Sequence, residues 1–526
     1  MRRTFILVSV IVAGGIGLLS FQNRDVLWSL VVLGPLLAVG WMDILQRRHS
    51  VRRNFPIIGN FRYFFEAIRP EINQYFVESN TDGVPFNRDH RSLIYQRSKH
   101  QPDTVPFGTR LDVYQVGYEW LSHSLQPVKV DPASLRIEIG GPACTQKYSA
   151  SIFNISAMSY GSLSKNAILA LNAGAKLGRF FHDTGEGGIS PYHLEPGGDL
   201  VWEIGTGYFS ARTLDGKFSP ERFAENARLP QVKMTELKLS QGAKPGHGGI
   251  LPAAKLTAEI ARIRGVPMGQ DVLSPPAHTA FSTPIGLIEL LQQMRELSGG
   301  KPVGFKLCVG KRREFLALCK AMVETGITPD FITVDGGEGG TGAAPLEFSN
   351  SVGMPLREAL IFVHNALTGF ALRKHVRVLC SGKIVSGFDV IARLAIGADA
   401  CNSARAMMMA LGCIQALRCN TNRCPTGVAT QDPELVAGLV VEDKAQRVAN
   451  YHRDTVHSVA ELIGAMGISH TEELRPENLM KRTGLAEARN YGEIYTFIEE
   501  GSLLQKTPPP SFARALSQAH ADRFSA

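Results

Sequence analysis

The chain has 526 residues, 44% hydrophobic and 20% charged, with a formal net charge of +8. That length exceeds one average domain of ~100–200 residues and supports a sizeable core, which excludes a disordered chain. The positive charge is not gathered into a basic stripe with interleaved aromatics, which argues against nucleic-acid binding, and eight cysteines in such a length make no disulfide scaffold and fit a reducing compartment.

Residues 4–23 carry no charge, nor do residues 26–42, and only Arg24 and Asp25 lie between the two runs. Each run is close to the ~17–20 residues that span a bilayer as helix. Arg2 and Arg3 precede the first, and Arg47, Arg48, Arg52 and Arg53 follow the second. Positive charge at both outer ends predicts a transmembrane helical hairpin over residues 1–45, in the inner (cytoplasmic) membrane, with the remainder facing the cytoplasm. A cleaved signal peptide is one competing reading, but the first apolar run is long and no small-x-small site follows it; a buried helical hairpin is another, disfavoured because neither run has a polar face. Residues 46–145 are rich in Arg, Tyr and Phe without a catalytic pattern, and read as a cap or packing segment.

From residue 146 short β-rich runs recur, with helical stretches between many of them: 151–156, 179–183, 200–205, 232–240, 302–307, 330–335, 377–381 and 399–404. Eight such runs predict an α/β fold, a (β/α)8 TIM barrel over 146–435. The second, third and eighth runs are the least strand-like. Residues 436–526 read as a C-terminal helical extension, clearest over 443–466.

Chemistry in such barrels sits at the C-terminal ends of the strands, and the conspicuous residues fall there. Gly340, Thr341, Gly342 and Gly382 follow late strands, where backbone N–H groups can approach a phosphate; a tight turn is the bland alternative. Lys306 lies in the apolar run PVGFKL and must meet an anion, either a reduced flavin or a neighbouring carboxylate. Lys244, after Gln241 in a glycine-flanked loop, can reach a substrate carboxylate or stand in solvent. Glu186, between Gly185 and Gly187, has the chemistry of a general acid or base, or of a turn residue; His247 reads as structural. Cys413, Cys419 and Cys424 cluster in one loop without a nearby fourth Cys or His. A structural zinc site takes four ligands, whereas a three-iron cluster takes three thiolates. Buried thiols and a disulfide stay open.

The stretches SAMSYGSLS, TGEGG, KLSQGAKPGHGG, SPPAH, GGTGAAP and GCIQALRCNTNRCPTGVATQD resemble, in order, the synthase barrel of the glutamate synthase family over roughly 145–470. The resemblance implies FMN, with Ala157, Met158, Ser159, Gln241 and Lys306 near the flavin ring and Gly340, Thr341, Gly342, Gly382, Ser403, Ala404 and Arg405 at its phosphate. It implies a [3Fe-4S] cluster on Cys413, Cys419 and Cys424. It makes Lys244 and Arg264 ligands of a 2-oxo acid, and Glu186 an acid at the reaction centre. The implied reaction reduces a 2-imino acid, formed from a 2-oxo acid and ammonia or an amine, to an amino acid. No glutaminase nucleophile and no dinucleotide-binding motif appear, so the electron donor, a ferredoxin or reductase subunit, is expected in trans. The family reads KPGEGGQ where this chain has His247 and Ile250, which leaves the oxo acid open.

Overall fold

The computed structural model describes residues 1–526 and divides them into two compact units, Met1–Arg88 and Asp89–Ala526. In the first unit, helix Arg2–Ser20 and helix Leu30–Leu45 are joined by a 3-10 turn, Arg24–Ser29. The spans Arg2–Ser20, of 19 residues, and Arg24–Leu45, of 22 with the 3-10 turn, are long and apolar enough to cross a membrane. They pack at Gly40, where a Cβ would collide with the Phe5 ring. Shorter helices follow over Ser50–Asn54 and Gly59–Ile72. The expected 46–145 cap is thus split: residues 46–88 cluster with the hairpin and 89–145 with the barrel.

In the second unit eight parallel strands close into a barrel. They are β1 (Phe153–Ile155), β2 (His182–Asp183), β3 (Leu200–Ile204), β4 (Val232–Lys238), β5 (Val303–Leu307), β6 (Phe331–Asp335), β7 (Arg377–Ser381) and β8 (Ala400–Ser403). Each pairs with the next in chain order, and β8 closes on β1 through Cys401 and Phe153. All eight predicted runs are barrel strands, the three weak ones included. The strands are buried on both faces, as a parallel sheet wrapped in helices requires.

Hydroxyl caps mark where the chain turns from loop to helix. Ser164, Ser219, Thr283 and Ser386 each accept a first-turn backbone N–H, opening helices Lys165–Gly178, Pro220–Ala227, Pro284–Leu297 and Gly387–Leu394. The 25-residue helix Val441–Ala465 follows β8 and lies along Lys165–Gly178. A hairpin of Arg136–Ile139 and Tyr148–Ser151 leads into β1 from the opposite end of the barrel, where Gly141 N–H donates to Asp330.

The region after 435 is not helical throughout. Strands Leu479–Arg482 and Ala488–Asn490 form an antiparallel sheet with Glu119–Leu121, tying the chain's last part to the segment before the barrel.

Candidate active site

The loops after β1, β2 and β4 converge on Glu186. Gly185 has φ +64, and a Cβ on it would lie 2.8 Å from the Ser159 nitrogen, so this loop can sit against Met158 and Ser159 only without a side chain there. Gly205 and Gly249 flank Glu186 on other sides: added Cβ atoms would come 2.8 Å from its Cβ and 2.6 Å from its Oε1. Lys238, the last residue of β4, approaches Glu186 Oε2 at 3.1 Å and donates to Gln241 Oε1 at 2.8 Å. Burial opposes ionisation of Glu186, but Lys238, then Lys244 and Arg264 outweigh it and hold the carboxyl at about 2. Glu186 is therefore a carboxylate: an orienting charge or a base, rather than a proton donor, in this arrangement.

Lys244 and Arg264 both face the Glu186 charge. The buried Lys244 ammonium donates to the Gly248 carbonyl at 3.1 Å. Arg264 donates through Nη2 to the Tyr160 carbonyl at 3.2 Å, stacks 5.1 Å from the Phe209 ring centroid, and leaves a buried Nε without a partner. Burial lowers the pKa of both cations. Two desolvated cations beside one carboxylate, one with donor capacity to spare, form an anion site suited to a carboxylate ligand.

Lys306 takes one of its two expected partners. It points into the barrel, hydrogen-bonds Glu203 and lies 3.6 Å from Glu236. This is the ion pair with neighbouring carboxylates, the alternative to a flavin contact. The cation beside Glu186 and Gln241 is Lys238, which sequence reasoning passed over. It also missed the acids: oxygens of Asp183, Glu203 and Glu236 all lie within 4.8 Å of one another. The signal was present in the sequence, since Glu203 and Glu236 interrupt apolar strands just as Lys306 does. Burial, then the facing Asp183 charge, pushes Glu236 well above the carboxylate range, and Thr333 Oγ1 donates to it.

The late loops build the opposite side. Arg405, two residues past β8, donates to the Glu338 carbonyl at 3.0 Å and underlies the glycine loop, where a Cβ on Gly340 would meet its guanidinium carbon at 2.8 Å. Ser403 ties β8 to the loop after β7 by donating to the Ile384 carbonyl at 2.7 Å. Gly340, Thr341, Gly342, Gly382, Ser403, Ala404 and Arg405 thus stand on three adjacent strand ends, β6 to β8. Ala157, Met158 and Ser159 follow β1, the next strand round, and Met158 N–H is bonded to the Asp183 carbonyl.

The cysteine loop adjoins this glycine loop: a Cβ on Gly342 would lie 3.8 Å from that of Cys419. All three thiols are free. Burial, and to a lesser degree the Cys419 and Cys424 charges, pushes Cys413 up to about 12. The loop is stapled to the site. Gln431 donates to the Gly161 and Leu163 carbonyls at 3.1 and 2.9 Å, and the buried Lys255 bridges the Ser162 and Cys419 carbonyls. Three free thiols beside a buried cation suit an anionic thiolate cluster, and glycine-rich loops on successive strand ends suit a phosphate and a flat ring.

A family model described as "Conserved region in glutamate synthase" matches residues 128–469. The chain is 36% identical over 496 residues to the glutamate synthase large subunit-like protein YerD of Bacillus subtilis, covering 86% of this chain and 94% of that one. It is also 36% identical to an archaeal glutamate synthase [NADPH] of Methanocaldococcus jannaschii, covering 69% of this chain and 67% of that one. Among solved structures it is similar to a flavocytochrome b2 with pyruvate bound, at 15% identity and a TM-score of 0.43, covering 87% of this chain and 97% of that one. The chain belongs to the glutamate synthase family and is a glutamate synthase-like oxidoreductase.

Proposed function

We propose that the barrel binds FMN and a [3Fe-4S] cluster and reduces a 2-imino acid, formed from a 2-oxo acid and ammonia or an amine, to the amino acid. The observation that carries this is the meeting of Lys244, Arg264 and Glu186 at the mouth of the barrel, beside the loops after β6 to β8 and the three free thiols. Lys244 and Arg264 would hold the carboxylates of the oxo acid. Glu186, held ionised, would orient the amine nitrogen and stabilise its cationic, iminium-like form. Gly340, Thr341, Gly342, Gly382 and the Ser403–Arg405 turn would receive the FMN phosphate, and Ala157 to Ser159, Gln241 and Lys238 would border the ring. Lys306 would act at one remove, by fixing Glu203 and through it Lys238. Cys413, Cys419 and Cys424 would ligate the cluster. When bound, FMN supplies hydride and the cluster supplies single electrons from a donor in trans.

The side chain of Ile250 follows Gly249, which abuts Glu186. An apolar residue there favours an oxo acid less polar at its far end than 2-oxoglutarate. We further propose that the hairpin anchors the protein in the cytoplasmic membrane, with the barrel in the cytoplasm.

The test is anaerobic purification, assay of iron and FMN, and photoreduction, followed by mixing with a panel of 2-oxo acids with and without ammonia. Flavin reoxidation that requires both an oxo acid and ammonia is expected. If no pair reoxidises the flavin, the enzymatic reading fails, and an electron-transfer subunit becomes the better one.

A further inference from the structure

Helix Gly59–Ile72 continues as one wider turn to Val77. At 100° per residue, Ile58, Phe61, Phe64, Phe65, Ile68 and Ile72 fall within an arc of about 120°. That face is uncovered: Phe61 is 56% exposed, Phe65 57% and, past the helix end, Phe76 84%. A contiguous aromatic face of this size is an interaction surface rather than scattered exposure. Its flank is basic, with six arginines against two glutamates between residues 46 and 77. Arg62 and Arg69 border the apolar arc, and Arg47 and Arg48 are exposed just before it.

The position of this helix is fixed by a buried carboxylate. Asp43, in the last turn of the second apolar helix, accepts from Ile57 N–H at 2.9 Å and Asn60 Nδ2 at 2.5 Å. Asp43 thereby pins the start of the aromatic helix to the arginine-bearing end of the hairpin. If the hairpin spans a bilayer, that end lies at the headgroups. The helix is then held where one face can meet acyl chains and its edges can meet phosphates.

We propose that Ile58–Val77 is an interfacial segment that seats its aromatic face in an anionic lipid bilayer and its arginines on the lipid phosphates. The charge complementarity and the continuity with the membrane-spanning hairpin select lipid over a protein partner. The segment's place at the headgroups rests on the membrane reading of the hairpin, its affinity for anionic lipid does not, and one experiment separates the two.

The full-length chain is mixed with vesicles of phosphatidylcholine alone or with phosphatidylglycerol, floated, and then followed by hydrogen exchange in nanodiscs of the same lipids. The expected result is flotation with both lipids, with amide exchange over 58–77 about tenfold slower in phosphatidylglycerol discs. Phe61→Ser, Phe65→Ser and Phe76→Ser together should abolish that protection without preventing flotation. Flotation on both lipids with equal exchange overturns the inference and leaves the hairpin standing. Flotation on phosphatidylglycerol alone overturns the hairpin and keeps the inference. Flotation on neither overturns both, and protection confined to discs holding two copies makes the partner a second chain and overturns it.

Discussion

Two register pairs in the barrel set like charges side by side: Glu203 beside Glu236, and Lys306 beside Lys238. Each pair alone would repel. The arrangement holds because the charges pair between layers: Lys306 with Glu203 and Glu236, Lys238 with Glu186 and Glu203. Removing one member of a buried pair strands its partner, at ~3–5 kcal/mol. Lys306→Met should therefore lower the urea-unfolding free energy by about that amount, and adding Glu203→Gln should restore a good part of it. An unchanged midpoint in the single variant would mean that Lys306 is not committed to this pair. Glu186 makes a second residue-scale prediction. Its folded value of about 2 lies below the ordinary 4.5, so it stabilises the fold above pH 4.5, and that contribution is lost as pH falls toward 2. Glu186→Gln should flatten the stability profile across this window, which thermal melts at pH 3 and pH 6 would show. Sequence alone flags Lys306 as a charge in an apolar strand. It does not show its partner, because Glu203 lies 103 residues away, and which strands neighbour each other is settled only when the barrel closes.

At the scale of elements, the strands were legible because apolar runs bounded by glycine and hydroxyl residues leave few other folds. The faintest run, β2, has only His182 and Asp183 in ladder geometry, too few residues for any period to show. The late strands Leu479–Arg482 and Ala488–Asn490 were illegible for a related reason: they are short, and the other partner of Leu479–Arg482, Glu119–Leu121, lies more than 350 residues earlier. The helix Val441–Ala465 was plain from its length, but its seat was not. That seat is Gly174, where a Cβ would come 2.7 Å from the Val448 Cβ and 2.8 Å from the Ala445 carbonyl. Gly174→Leu should force the two helices apart and cost at least ~1–3 kcal/mol, read as a lowered unfolding midpoint. The cysteine loop carries the other element-scale prediction. Cys419→Ser should remove the iron while much of the FMN stays, because the glycine loop and Arg405 do not depend on that thiol. Zinc in the purified protein, or simultaneous loss of all FMN, would count against a cluster separate from the flavin site.

For the whole molecule, the decisive division is the one at Arg88, not at the end of the apolar hairpin. The hairpin ends at Leu45, but Asp43 bonds forward to Ile57 and Asn60, so residues 46–77 belong with it. The barrel unit keeps its own core: the closed strand ring, the long helix Val441–Ala465 and the sheet joining residue 119 to residue 490 all lie after Asp89. Two truncations follow from this. A chain beginning at residue 46 loses both apolar helices but keeps the exposed phenylalanines, and should remain with anionic membranes after gentle lysis and come off in high salt. A chain beginning at residue 89 should be soluble, monodisperse and yellow-brown, with the FMN and iron content of the full protein. Fractionation of both truncations beside the full chain, with absorption spectra of each fraction, makes the measurement. Should the chain from residue 89 aggregate or lose its flavin while the chain from residue 46 is soluble and loaded, residues 46–88 would be part of the catalytic fold. The boundary would then move back to the one that composition alone suggests.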